Sequence, residues 1–199
     1  MKKLALMLLI GMAAMGQQGK FQPLFDGKTL KGWDGDPRLW SVKDGELVGS
    51  TDGVKLAHNT FLIYKAEKFS DFVLRAQVKL RNHNSGIQFR SEELPEWVVK
   101  GLQADMAQGN WWGSIYDEKG KRGVMVNGWK GKGETVVKPN DWNDIEIYCK
   151  GEEIRITLNG LVTAELKDSE KMEGIIALQL HAGPEMEVRF KKIELMKLK

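Results

Sequence analysis

The sequence has little of several features that would identify its class at once. It contains one cysteine, Cys149, three histidines that lie far apart, and five prolines in 199 residues. A single cysteine excludes an intramolecular disulfide, and the histidines lack the paired spacing that is typical of zinc sites. We therefore expect a fold that is held by its hydrophobic core, with Cys149 buried in a strand.

An excess of charge of one sign is also missing. Thirty Lys and Arg residues against 27 Asp and Glu residues give a net charge of +3, and removal of Lys2 and Lys3 would leave +1. A balance this close to neutral predicts no binding to nucleic acid. The hydrophobic share of 42% and the charged share of 29% are ordinary for a globular protein, and the length corresponds to one domain.

A long apolar run occurs only at the N-terminus. Two lysines precede the run Leu4–Met15, and polar residues follow it. The run has about 12 residues, fewer than the about 20 that a membrane-spanning helix needs. A basic start, an apolar centre and small residues before Gln17 are typical of a cleaved signal peptide, with a retained anchor as the alternative. We predict a signal peptide over residues 1–16, a single domain over 21–199, a periplasmic or extracellular location and no membrane association after cleavage.

Helical periodicity is nearly absent from the rest of the chain. Short runs instead alternate apolar and polar residues between turn signals, most clearly over residues 72–80, 86–90, 144–149, 153–158 and 186–190. This pattern predicts an all-β fold, a β-sandwich of two antiparallel sheets. The segment 97–132 is the most irregular and the richest in aromatic residues, so we expect long loops there.

Three of the predicted strands carry an unusual polar face. Their apolar faces hold residues that we expect between the sheets, namely Ile87, Phe89, Leu102, Leu178 and Leu180. Their opposite faces lack lysine and are rich in groups of fixed hydrogen-bonding geometry: Gln88, Arg90 and Glu92 on the first strand, Gln103 and Asp105 on the second, and Gln179 and His181 on the third. If the strands are neighbours, these side chains line one polar, concave surface.

Aromatic residues of the segment 97–132 would lie close to that surface. Aromatic rings pack well against the C–H faces of sugars, and amide, carboxyl and guanidinium groups bind hydroxyls. The combination predicts a carbohydrate site that includes Trp97, Trp111, Trp112 and Tyr116. The simpler alternative is that each polar face only contacts solvent.

Six ordered motifs also resemble a known family. They include Phe25-Asp26-Gly27-Lys28-Thr29-Leu30, Trp40-Ser41-Val42-Lys43-Asp44-Gly45, Asn84-Ser85-Gly86-Ile87-Gln88-Phe89-Arg90 and Leu178-Gln179-Leu180-His181-Ala182-Gly183. The chain is similar, from about Phe25 to its end, to the secreted bacterial 3-keto-disaccharide hydrolase family. The resemblance implies a jelly roll of the concanavalin A-like type that acts on glycosides oxidised at C3. The family often has a glutamate two residues before Gln103, where this chain has Gly101.

A ketone at C3 acidifies the C2 proton, so the substituent at C1 can leave by elimination before water adds to the enone. Such a reaction needs a base, an acid and a partner for the enolate oxygen. We assign His181 and Asp105 to the acid–base steps and Arg90 to the enolate. Hydroxyl binding falls to Gln88, Glu92, Gln103 and Gln179.

Two other functions use the same residues. An ordinary glycoside hydrolase needs two carboxyl groups about 5 to 9.5 Å apart, and Glu92 with Asp105 could supply them. A non-catalytic carbohydrate-binding module would use the same polar face without any titration of His181. We predict no cofactor; one histidine with carboxylates can bind a divalent cation, but the spacing gives no sign of one.

Overall fold

The computed structural model describes residues 19–199, and the predicted signal peptide lies outside this range. The strands in the described range, numbered in chain order, are β1 (Gln22–Pro23), β2 (Trp33–Asp34), β3 (Trp40–Lys43), β4 (Glu46–Ser50), β5 (Thr60–Tyr64), β6 (Phe72–Leu80), β7 (Asn84–Leu94), β8 (Val98–Ala107), β9 (Asn110–Glu118), β10 (Gly123–Val126), β11 (Asn143–Lys150), β12 (Glu153–Leu158), β13 (Leu161–Lys167), β14 (Ile175–Leu180) and β15 (Glu187–Lys197). Two short helical turns, Trp129–Gly133 and Glu134–Val136, separate β10 from β11. Neither turn has the length or the apolar composition of a bilayer-crossing helix.

The strands form two antiparallel sheets. One has eight strands in the order β13-β12-β11-β6-β15-β4-β3, with β1 paired to β15; the other has seven in the order β10-β9-β8-β7-β14-β5-β2. Neighbours in space are often distant in sequence, as where β14 inserts between β7 and β5. This arrangement confirms the two-sheet β-sandwich that the alternating sequence predicts.

The core lies between the sheets, where the apolar side of each alternating strand is buried. Ile87, Phe89, Leu102, Leu178 and Leu180 each have 0% exposure, as predicted. Full burial of one such side chain contributes about 1.5 to 3 kcal/mol. The strands could not slip by one residue without moving these side chains into water, so burial fixes the register of the sheet.

The outer face is the side of the seven-stranded sheet that points away from the other sheet. Asn59 and Glu118 lie near β5 and β9, which are four strand spacings apart, or about 19 Å if the sheet were flat. Asn59 Nδ2 nevertheless donates to Glu118 Oε1 at 3.1 Å. The sheet is therefore strongly curled, and the outer face is its concave side.

The tip of the β7–β8 hairpin folds over one end of the outer face. Its Trp97 carbonyl accepts a hydrogen bond from Phe61 N on β5 at 2.9 Å. Beneath it lies an apolar cluster, named here the covered cluster, of Phe61, Ile63, Val99, Ile175 and Ala177, against which Trp97 packs. The expectation of long loops over residues 97–132 was wrong, because much of this segment forms β8, β9 and β10.

Candidate functional site

The uncovered end of the outer face holds a cavity of about 270 Å³, named here the polar cavity. Polar side chains make up most of its lining, which consists of Asn59, Asn84, Gln103, Asp105, Trp111, Tyr116, Glu118, Val124, Gln179 and His181. Six of these ten residues were expected from the sequence to lie together: Gln103, Asp105, Trp111, Tyr116, Gln179 and His181. The structure thus brings together residues from four distant parts of the chain.

Strand register explains why these side chains share one face. Gln103 on β8 lies opposite Tyr116 on β9, and Gly101, two residues before Gln103, lies opposite Glu118, two residues after Tyr116. Side chains two residues apart point to the same side of a strand. Gly86 on β7 also contributes, because a Cβ at that position would overlap the Gln103 side chain.

A chain of amide groups connects two carboxyl groups across the cavity floor. Gln103 Nε2 donates to Asp105 Oδ1 at 3.2 Å and lies 3.4 Å from Gln179 Oε1, while Gln179 Nε2 donates to Glu118 Oε2 at 3.3 Å. Asn59 Nδ2 donates to the other Glu118 oxygen. The amides fix both carboxyl groups without supplying a positive charge.

Asp105 is poised to exchange a proton near neutral pH. Burial is the main cause that raises its pKa to about 7 from 3.8, against the opposing effect of hydrogen bonds from Met106 N, Gln103 and Asn84. The negative charge of Glu118 acts in the same direction as burial. A carboxyl group with such a pKa can act as an acid or as a base.

Glu118 resembles Asp105 in its environment. Burial raises its pKa as well, and the hydrogen bond from Asn59 and the charge of His181 oppose that effect. Burial also raises the pKa of Tyr116, with further contributions from the charges of Glu118 and Asp105. Tyr116 therefore keeps its proton at neutral pH and can donate a hydrogen bond into the cavity.

His181 follows β14 at the rim of the cavity and is half-buried. Its Nδ1 lies 2.6 Å from the carbonyl oxygen of Ala182, so Nδ1 carries the proton of the neutral ring and Nε2 is left as an acceptor. The ring of His83 packs edge-on against it, with centroids 4.8 Å apart. This arrangement holds the ring in one orientation with a basic nitrogen available.

Arg90 does not lie in the polar cavity, contrary to the sequence-based assignment. A β-bulge between Phe89 and Glu92, with φ of +47° at Arg90, interrupts the alternation of β7. The Arg90 side chain is fully buried and donates to the carbonyl oxygens of Ser70 and Gly151 at 2.8 and 2.7 Å, and to Asp71 Oδ1 at 3.2 Å. It connects loops of the fold rather than facing a ligand.

Gln88 and Glu92 also lie apart from the cavity lining. Gln88 is fully buried beneath it, where its Nε2 donates to Gln103 Oε1 at 2.8 Å and its Oε1 accepts from Ser91 Oγ at 2.7 Å. Glu92 is exposed, because it follows the bulge and pairs with Lys100 near the hairpin tip. Gln88 therefore supports Gln103 and has no surface that a ligand could touch.

The four predicted aromatic residues divide into three groups. Trp111 and Tyr116 line the polar cavity. Trp112 has only 5% exposure and belongs to the core between the sheets, because a register shift in β9 between Trp111 and Ser114 reverses the alternation that Ser114 and Tyr116 set. Trp97 lines a separate cavity at the sheet edge. The assignment of Trp112 to substrate binding was therefore wrong.

Four residues of the lining were missed from the sequence, namely Asn59, Asn84, Glu118 and Val124. Glu118 had a usable signal, since it alternates with Ser114 and Tyr116 on a fourth polar strand face. Its neighbour Gly101 has φ of +142°, and a Cβ there would come within 2.6 Å of Ser91 Oγ. At this pair of opposite positions, β8 accommodates only glycine at residue 101, and the carboxyl group comes from Glu118 on β9.

The side chain of Asn84 has a buried oxygen atom without a hydrogen-bond partner. Its Oδ1 is one of three buried side-chain polar atoms in residues 19–199 that have no hydrogen-bond partner. Such atoms are rare because an unpaired buried acceptor costs about 1 to 3 kcal/mol. In the same range, no three His, Cys, Asp or Glu residues come close enough to hold a metal ion. The absence of a cofactor stays a prediction.

Solved structures of the same fold include proteins that act on or bind carbohydrate. A Parabacteroides distasonis protein classed provisionally as a glycosyl hydrolase superposes with a TM-score of 0.68 at 24% identity, over 90% of this chain and 100% of the other. The carbohydrate binding module CBM66 from Bacillus subtilis gives 0.65 at 15% identity, over 83% and 96%. The Bacillus licheniformis beta-glucanase gives 0.60 at 9% identity, over 92% and 100%.

These likenesses confirm the jelly-roll fold. Curated protein sequences gave no match to the chain. A family model does match, and it spans residues 20–196, which is nearly all of the described range. The chain therefore belongs to the family of the 3-keto-alpha-glucoside-1,2-lyase-like domain.

Proposed function

We propose that the polar cavity cleaves 3-keto-glycosides by elimination followed by hydration. The observation that carries the proposal is the convergence, in one cavity, of a histidine with a free basic nitrogen and two buried carboxyl groups of raised pKa. Family membership supports the choice of a 3-keto sugar as the substrate. The cavity volume of about 270 Å³ suits a single sugar ring, since sites for larger ligands span about 300 to 1,000 Å³.

The first step removes the C2 proton. His181 Nε2 takes it, and the electrons of the C2–H bond form the C2–C3 double bond of an enolate while the C3 oxygen becomes negative. Because Arg90 lies elsewhere, a neutral donor must stabilise that oxygen, and the protonated Tyr116 hydroxyl fits the role.

The second step breaks the glycosidic bond. The enolate electrons return to form the C3 carbonyl and a C1–C2 double bond, and the C1–O electrons leave with the departing alcohol. Asp105 donates a proton to that oxygen, because with a pKa of about 7 it is partly protonated at neutral pH. Water then adds at C1 and a proton returns to C2, so one water is consumed and the net result is hydrolysis.

Glu118 directs the water in this scheme. Once Asp105 has lost its proton, the second carboxyl group can accept a proton from the attacking water, as paired carboxyl groups of different environment do. The hydrogen bonds from Asn59 and Gln179 hold it in place for that step. We therefore expect Glu118→Gln to accumulate the eliminated enone before hydration.

The test compares a 3-keto-disaccharide with its unoxidised parent, using the purified chain. Turnover of the oxidised substrate alone, with slower turnover when C2 carries deuterium, supports elimination. Glu118→Gln is matched with Glu92→Gln, an exposed glutamate outside the cavity that should keep full activity. Cleavage of the parent at the same rate, without an isotope effect, would instead indicate ordinary glycoside hydrolysis by Asp105 and Glu118.

A non-catalytic carbohydrate-binding module is the second candidate function. The amide-rich floor and the half-buried Trp111 are suited to binding a sugar without any chemistry. Saturable binding of the 3-keto-disaccharide in calorimetry, with no product released, would favour this function over the enzyme.

A further inference from the structure

A series of hydrogen bonds, named here the amide chain, continues from the polar cavity into the protein beneath it. Ser91 Oγ donates to Gln88 Oε1 at 2.7 Å, and Gln88 Nε2 donates to Gln103 Oε1 at 2.8 Å. Gln103 Nε2 then donates to Asp105 Oδ1 at 3.2 Å and lies 3.4 Å from Gln179 Oε1. Ser91 and Gln88 are 4% and 0% exposed, and neither lines the cavity.

The hydrogen bonds of the amide chain all run in one direction. Each amide accepts on the side of Ser91 and donates on the side of the carboxyl groups, and Gln179 Nε2 completes the series at Glu118 Oε2. A primary amide donates through nitrogen and accepts through oxygen, so the rotation of one amide by half a turn forces its neighbour to rotate as well. The chain therefore has two possible directions, and the groups at its ends decide between them.

The carboxyl end of the chain favours a different direction in each protonation state. An ionised carboxyl group only accepts hydrogen bonds, and Asp105 Oδ1 also accepts from Met106 N at 3.0 Å. The observed direction, with an amide nitrogen facing Asp105, therefore suits the ionised form. In the reversed direction an amide oxygen would face Asp105, and only a protonated carboxyl group can donate to it.

The other end of the chain is the Ser91 hydroxyl, which is surrounded by carbonyl oxygens. Besides Gln88 Oε1, the backbone oxygens of Phe89 and Leu102 lie 2.9 and 3.2 Å from Ser91 Oγ. Without the hydroxyl only these acceptors would remain, and Gln88 would have to turn its nitrogen toward them, because an unpaired buried acceptor is costly. Gly101 leaves room for the hydroxyl, since a Cβ there would lie 2.6 Å from Ser91 Oγ.

We propose that Ser91 is a positioning residue, whose hydroxyl fixes the direction of the amide chain and so keeps amide N–H groups turned toward Asp105 and Glu118. Gln88 transmits this direction to Gln103. The inference rests on the proposed function, because these are the two carboxyl groups that act there on the leaving group and on water. Ser91 acts on them through the amides and does not touch the substrate.

The expected consequence is a change in the titration of Asp105. In Ser91→Ala the chain reverses, so Asp105 loses the hydrogen bond from Gln103 that lowers its pKa and faces an oxygen instead. The midpoint of its titration should move upward from about 7 by about one pH unit. The variant leaves unchanged the titratable groups that face Asp105 from β9 and from the end of β14, namely Tyr116, Glu118 and His181.

Two measurements give this midpoint. NMR titration of the Asp105 carboxyl carbon gives it directly, and the fall of kcat/KM for a 3-keto-disaccharide at high pH gives it through catalysis, since Asp105 must be protonated to act as the acid. A variant that only loosened the fold would lower kcat/KM at every pH without moving the midpoint. Ser85→Ala is the matched control, because Ser85 is a fully buried serine of the same strand whose hydroxyl donates to a backbone carbonyl. Its midpoint should equal that of wild type.

A double-mutant cycle tests whether Gln88 carries the effect. Gln88→Met has a similar volume and cannot transmit a direction, while Gln103 can still donate to Asp105. Ser91→Ala should therefore move the midpoint by about one pH unit in the wild-type background and by less than about 0.3 in Gln88→Met. An unchanged midpoint in Ser91→Ala, or an equal change in both backgrounds, overturns the positioning role.

A further test uses the wild type alone. Gln103 Nε2 and Met106 N both donate to Asp105 Oδ1, so their hydrogens lie close enough to give a nuclear Overhauser contact. Its presence above the midpoint, where Asp105 is ionised, supports the observed direction, and its absence there overturns it. If wild type cleaves no 3-keto-glycoside, the proposed function is refuted, whereas the NMR titration and this contact still decide the role of Ser91.

Discussion

The two ends of the outer face belong to the same strands but differ in chemistry. On β14, Gln179 faces the polar cavity whereas Ala177 belongs to the covered cluster, and on β8 the same change separates Asp105 from Val99. The change occurs where the β7–β8 hairpin tip crosses the sheet. A single face thus supplies stability where it is covered and chemistry where it is open.

Solvent access explains this division. Covered positions on the outer face gain free energy from apolar burial of about 25 cal/mol for each Å² of apolar surface removed from water. Gln103 and Gln179 can remain at the open end because their side chains find hydrogen-bond partners there. The covered end should therefore respond to mutation through stability, and the open end through activity.

The largest expected effect is at the open end. His181→Ala should lower turnover of a 3-keto-disaccharide by about 10² to 10⁴, the usual contribution of a general acid or base. Its thermal unfolding should stay close to that of wild type, because His181 is half-buried at the rim. Steady-state kinetics with calorimetry measures both, and a variant that unfolds early would contradict the division between the two ends.

Phe61→Ala tests the covered end. Phe61 has 0% exposure, and truncation of a buried phenylalanine to alanine costs about 3 to 5 kcal/mol of unfolding free energy. Val124→Ala at the cavity rim is the contrast, because Val124 is 42% exposed and should change stability by less than about 0.5 kcal/mol. Urea unfolding measures both, and equal losses would show that the two ends do not differ.

Asp105, at the open end, makes the stability of the folded protein depend on pH. Its pKa is raised to about 7 in the folded protein from 3.8. Between pH 3.8 and about pH 7 the folded protein therefore binds one more proton than the unfolded protein. Stability conferred by the protonated form is therefore lost as pH rises from about 4 to about 7, by up to about 4 kcal/mol at about 1.4 kcal/mol for each pH unit. Asp105→Asn should make this fall smaller and leave only the part that the raised pKa of Glu118 contributes.

Urea unfolding across that pH range measures the change. Asp144→Asn is the matched control, since Asp144 is an exposed residue of the other sheet and its variant should keep the wild-type slope. A wild-type protein whose stability rises between these pH values would contradict the assignment of a raised pKa to Asp105.

The smallest expected effect concerns sugar stacking. Trp111→Ala removes an aromatic ring from the polar cavity and should raise KM about two- to tenfold with little change in kcat, because the ring supplies about 0.5 to 1.5 kcal/mol of contact and no proton. A fall in kcat with unchanged KM would place Trp111 in the chemical steps instead.

Much of the fold was predictable because strand alternation is a local property. The predicted run 153–158 coincides with β12, and 72–80 coincides with β6. The same alternation placed Gln103, Asp105, Gln179 and His181 on one side of their strands. Family resemblance was visible in the ordered motifs, and the family model confirms it.

Other features depend on geometry that alternation does not contain. The bulge at Arg90 adds a residue to β7 and turns that side chain away. The β7–β8 hairpin carries Trp97 to the sheet edge, and the curl of the sheet brings Glu118 of β9 to Gln179 of β14, three strand spacings away. Each of these results from contacts between distant segments, so inspection of one strand at a time could not reveal it.

The hydrogen bonds of Arg90 affect how the protein unfolds. Its guanidinium donates to carbonyls of Ser70, Gly151 and Lys171, three loops far apart in sequence. A buried charge that loses such partners costs about 3 to 5 kcal/mol. Departure of any one loop would leave that charge poorly solvated, so partially opened states are penalised and unfolding becomes cooperative.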